Sequence, residues 1–170
     1  MKVRLKKLTL CAVLTTFALI AFLLEGLLPP LFLPGARLGL SNVFILLCAY
    51  ASGGWYAAAC LTVKILLGSI FSGNISSIMY SLPAGLISLG LEILLIFGVK
   101  KVSLLCTSIV GATVNVTVQN LVFCLVTGYQ EYLSFLPYLA LTGIIAGAMV
   151  GITVYLCLIK LPSKFFKGVE

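Results

Sequence analysis

Two oppositely charged side chains lie inside stretches that are otherwise apolar, Lys64 within Ala57 to Phe71 and Glu92 within Ile75 to Phe97. Such charges are costly to desolvate, so they pair, line a cavity, or do both. Counted from the ends of their segments at about 1.5 Å per residue, their depths agree within about 3 Å. That agreement predicts a structural Lys64–Glu92 ion pair and, equally, a direct role for Lys64 in ligand binding. A second polar group has helical spacing. Gly111, Asn115 and Gln119 fall at i, i+4 and i+8, so they share one face, with Thr107 and Ser108 a turn earlier. Amides on one face offer donors and acceptors to a polar ligand, and the bland alternative is hydrogen bonding between helices. We expect Asn115 and Gln119 to wall a site and Asn120, about 100° away on the helix, to serve packing. Arg37 and Asn42 belong to the longest break in the chain, Pro34-Gly35-Ala36-Arg37-Leu38-Gly39-Leu40-Ser41-Asn42. Arg37 brings positive charge to that loop, and Asn42 a hydrogen-bonding amide.

Other chemistries are excluded by what the chain lacks. It has no histidine, and its four acids are all glutamates. A Ser-His-Asp triad, a His-based metal site and an Asp-rich magnesium–diphosphate motif therefore cannot be assembled within it. No GxxxxGK[ST] phosphate loop occurs. The six cysteines stand singly in apolar runs without CxxC spacing, and they read as small buried hydrophobes rather than metal ligands. We expect no catalytic residues, no metal and no cofactor.

The elements that hold these residues are membrane helices. With 62% hydrophobic and 9% charged residues, the chain would expose far too much apolar surface as a water-soluble globule. Its fold class is all-α, a polytopic membrane protein of six transmembrane helices in one domain, over about 8–28, 38–51, 57–71, 75–97, 104–127 and 133–159. The first apolar run is too long for a signal-peptide core and no small-x-small cleavage site follows it. Nine of the eleven basic residues fall in three clusters at helix ends. These clusters read as topology determinants, not as a nucleic-acid surface. They place the N- and C-termini in the cytoplasm and the Arg37 loop on the outer face of the cell membrane. In the last helix Gly143, Gly147 and Gly151 form a repeated GxxxG ridge for close packing, against either a neighbouring helix or a partner subunit.

The loop run above, together with Lys64-Ile65-Leu66-Leu67-Gly68-Ser69, Phe71-Ser72-Gly73 and Tyr80-Ser81-Leu82-Pro83-Ala84-Gly85-Leu86-Ile87-Ser88, resembles the bacterial Gx transporter family, also labelled heptaprenyl diphosphate synthase component I. In helix count and size the chain also resembles the S-components of energy-coupling factor transporters. The likeness implies a membrane transporter or substrate-capture subunit, not an enzyme. It would bind a small molecule of flavin, vitamin or isoprenoid type from the outer face and dock on an energising membrane or ATPase module. The second reading is a non-catalytic membrane subunit of prenyl diphosphate synthesis. The substrate-binding residues expected are Arg37, Asn42, Lys64, Asn74, Tyr80, Asn115 and Gln119. Where family members commonly carry His and Asn in the fifth helix, this chain has Asn115 and Val116, and the first helix lacks the AxxxA docking pattern.

Overall fold

Five of the helices predicted from apolar run length are long and apolar enough to cross a membrane, and one is not. The computed structural model describes residues 2–27, 39–99 and 102–160. Among them the chain is all-α: α1 (Lys2–Leu27), α2 (Leu40–Ser52), α3 (Gly54–Phe71), α4 (Ile78–Gly98), α5 (Leu104–Thr127) and α6 (Leu136–Lys160). Short 3₁₀ turns over Ile75–Ser77 and Gln130–Phe135 lead into α4 and α6. Large apolar side chains such as Leu94, Leu125, Ile145 and Leu156 point outward, as lipid-facing positions of a bundle should. The protein is membrane-embedded.

Several ends have local causes. Ser103 caps α5 by accepting the Cys106 N–H at 3.2 Å, and Gly128 ends the same helix in the left-handed region, with φ of 76°. Gly53 links α2 directly to α3, so Trp55 and Tyr56 lie in the first turn of α3 and not in a connecting loop. α3 thus begins three residues before the expected position.

The exception to full membrane length is α2. Its 13 residues rise about 20 Å, short of the roughly 30 Å of a hydrocarbon core. Nine of the 13 are buried. One side packs on α1 and α3 through Ile45, Cys48 and Ala49, and the other on α6 through Val43, Leu46 and Leu47 against Val150 and Val154. A short apolar helix buried all round is a core element, and it can begin part-way across the bundle. Gly39 starts it with φ of 72°, a left-handed turn that favours glycine.

The glycine ridge of α6 packs within the chain. A methyl group built on Gly143, Gly147 or Gly151 would come within 2.9, 2.7 and 3.1 Å of the Cα atoms of Thr113, Ile109 and Leu105 on α5. The Ser108 hydroxyl donates to the Gly147 carbonyl at 2.8 Å across the same seam. Of the two partners the motif allows, α5 is the one it meets.

Candidate functional site: a polar cavity between α1 and α5

The cavity has a volume of about 420 Å³, within the usual range of small-molecule sites. It lies where α1 ends, α2 begins and α3 turns into α4, with walls from α1 through α5. Asn74 lines it and is exposed, which marks where it reaches the surface. Six of the seven residues expected to bind substrate line this one space: Asn42, Lys64, Asn74, Tyr80, Asn115 and Gln119. Arg37 lies outside the described residues.

Lys64 is only 4% exposed. Its Nζ donates to Ser41 Oγ at 3.2 Å and to Asn42 Oδ1 at 3.0 Å, both in the first turn of α2. The Phe22 ring lies 5.8 Å from the ammonium, a cation–π distance. Gly68 sets that ring in place, because a methyl there would approach the ring edge to 2.6 Å. On the other side of the start of α2, the Glu25 carboxylate accepts the Leu40 N–H. A negative charge here satisfies an N–H that lacks an intrahelical partner and faces the positive end of the helix dipole. Glu25 is 8% exposed, so it does not face bulk water.

The direct Lys64–Glu92 ion pair is not formed. Both side chains line the cavity, and the ammonium is close enough for its field to act on the carboxylate. Among the described residues, Lys64 nevertheless donates to α2, and Glu92 receives no hydrogen bond from any of them. The expected match in depth fails because α3 starts at Gly54 and α4 runs on to Gly98. Lys64 then lies about 15 Å from its end of the bundle and Glu92 about 9 Å from the same end. The Glu92 carboxyl rests against Gly111 of α5, where a methyl group would overlap it.

The polar face of α5 divides between two tasks. Ser108 and Gly111 serve packing, the latter by accepting the Ser88 hydroxyl of α4 at 2.8 Å. Asn115 and Gln119 line the cavity. Asn120 turns away and donates to the Tyr132 carbonyl at 3.1 Å, tying α5 to the turn before α6. The Asn74 loop is held by the Asn74 N–H on the Ser69 carbonyl at 3.0 Å and by Ser69 and Ser77 hydroxyls 2.9 Å apart. Ser41, Ser77 and Ser81 also line the cavity, and sequence reasoning missed them. Serine is common at helix ends and turns, so its presence in a sequence carries little information about a site.

A second cluster escaped the sequence altogether. Cys11, Cys48 and Cys60, from α1, α2 and α3, place three buried sulfur atoms within 4.8 Å of one another. Cys60 Sγ lies 2.8 Å from Cys11 Sγ, 3.4 Å from Cys48 Sγ and 2.9 Å from Thr15 Oγ1. These three thiols are not the isolated positions that their spacing suggests, although none lines the cavity. A membrane-permeant oxidant such as copper phenanthroline, taking two electrons and two protons from a thiol pair, is expected to join Cys11 to Cys60. Mass spectrometry should find an α1–α3 linked peptide that Cys60→Ser abolishes. Linkage only through the exposed Cys106 would contradict the arrangement.

The fold and site define a class: an all-α membrane protein with a polar cavity sunk between its helices. Within that class the chain belongs to the heptaprenyl diphosphate synthase component I family, whose profile matches residues 14–157. No curated protein and no solved structure matches it.

Proposed function

We propose that the chain is a non-enzymatic substrate-capture or transport subunit that takes a small polar molecule into the cavity between α1 and α5. One observation carries this reading. Tyr80, Glu92, Asn115 and Gln119 line one cavity, and among the described residues none of their side chains makes a hydrogen bond. A polar group left unsatisfied at membrane depth costs on the order of several kcal/mol, so four together favour a space that is filled by water or by a polar ligand. Apolar packing would have been the cheaper solution for a purely structural bundle. The clustering of basic residues supports cytoplasmic termini. On that orientation the cavity opens outward, beside Gly39 and Asn42. The likeness to S-components supports, by size and helix count, docking on an energising module.

The family description favours a second reading, a non-catalytic membrane subunit associated with prenyl diphosphate synthesis. Prenyl transfer requires carboxylates that hold magnesium around a diphosphate. The chain has no aspartate, so on this reading catalysis belongs to a partner.

Native mass spectrometry of the full chain in lipid nanodiscs separates the two readings. With vitamins, flavins, amines, organic acids and prenyl phosphates offered together, capture predicts one water-soluble ligand retained per chain and a matching thermal shift. Retention of prenyl diphosphates alone favours the second reading. No retention and no shift with any compound would remove the capture reading.

A further inference from the structure

We infer that the captured molecule is a protonated organic amine whose N–H groups dock on the Glu92 carboxylate, making Glu92 the residue that sets ligand charge. This rests on the capture reading above and names the ligand class of the same site.

Among the described residues, three acidic or basic side chains line the cavity: Glu25, Lys64 and Glu92. They are not equivalent. Glu25 accepts the Leu40 N–H, and Lys64 donates to Ser41 and Asn42. Both have work to do at the start of α2. Glu92 lies on another wall, against Gly111, with no donor from the described residues. The nearest hydroxyl on its own helix, Ser88 one turn away, is committed to the Gly111 carbonyl. A carboxylate at this depth is stabilised by a charged donor, and none of the described residues donates to it.

The surroundings narrow the kind of donor. A bare divalent or alkali cation is held by several converging oxygens, about six to eight for calcium. Glu92 is the one carboxylate on its wall, and the amides of Asn115 and Gln119 are spread along a turn of α5 instead of closing around a point. Separated acceptors of that sort suit an organic molecule with its amine at one end and further polar groups along its length. A diphosphate fits poorly, because its charge would face Glu92 with a like sign and meet a Lys64 already bonded to two α2 side chains.

The test offers the full chain in nanodiscs an equimolar panel of putrescine, agmatine and lysine, glucose and inositol, and citrate and pyrophosphate. Retention is read by native mass spectrometry. In parallel, a hydrophobic carbodiimide labels Glu92 in the unmodified chain. The expected result is retention of an amine, at least tenfold weaker retention in Glu92→Gln, and suppression of carbodiimide labelling by that same amine. The labelling arm holds even where Glu92→Gln does not fold. Retention of only neutral or anionic compounds overturns the inference while leaving the capture reading in place. Amine retention that ignores Glu92→Gln overturns it, as does protection of Glu92 by sodium or potassium alone. No retention from any charge class overturns the capture reading and the inference together.

Discussion

Lys64→Met is expected to weaken ligand retention by at least tenfold, equivalent to about 1.4 kcal/mol or more. Among the described residues, Lys64 Nζ donates to Ser41 Oγ and Asn42 Oδ1, at 3.2 and 3.0 Å, and so holds two side chains of the cavity wall. Methionine donates no hydrogen bond, so the ordering of Ser41 and Asn42 at the cavity wall is lost. Parallel measurement of retention and thermal unfolding in nanodiscs checks this. A variant that unfolds without its lysine would make Lys64 structural, and one that binds normally would remove it from the site. The charge-swapped pair Lys64→Glu with Glu92→Lys is expected to restore neither property, because the two groups point at different walls and do not form an ion pair.

Gly147→Leu is expected to abolish the folded chain, since its side chain would be driven into the backbone of α5. A methyl group alone would meet Ile109 Cα at 2.7 Å and the Ser108 carbonyl at 2.8 Å, both backbone atoms that cannot swing aside. Gly147→Ala should cost about 1–3 kcal/mol by overpacking, and the branched leucine far more. The helix axes would have to separate, breaking the 2.8 Å bond from Ser108 to the Gly147 carbonyl and opening the seam along Gly143 and Gly151. Gly90→Ala is the matched control, because its methyl would enter open space within α4 and should gain about 0.5–1 kcal/mol of helix preference. Size-exclusion profiles and thermal unfolding of the three variants in one detergent decide the matter. A well-folded Gly147→Leu chain would show that the ridge does not carry the α5–α6 pairing.

These two residues also show how legibility varied along the chain. Lys64 declared itself, because a charge in an apolar run is rare enough to carry information. Its partner did not, since a depth counted along one helix depends on where that helix starts, and α3 opened at Gly54, three residues before the expected Ala57. Asn115 and Gln119 were readable because helical periodicity is a local property. Ser41, Ser77 and Ser81 were not, because a serine that lines a cavity and one that ends a helix look alike in sequence. The glycine ridge was visible at once, but its partner could only come from knowing which helix lies beside it. Cys11, Cys48 and Cys60 stand far apart in the chain and meet solely because α2 is enclosed by its neighbours.

By itself, then, the sequence determined the solvent, the secondary structure and the polar positions that demand an explanation. Run length, hydropathy and 3.6-residue periodicity are properties of contiguous residues, and they suffice for an all-α membrane bundle. The tertiary structure decided what those positions face. It buried the 13-residue α2 in the middle of the bundle, brought its first turn to Lys64, and sent Ser108 to packing and Asn115 to the cavity. It also left the Glu92 carboxylate in the cavity without a donor from the described residues. Which helix faces which is settled by the summed packing of every face at once, and no local pattern contains that sum.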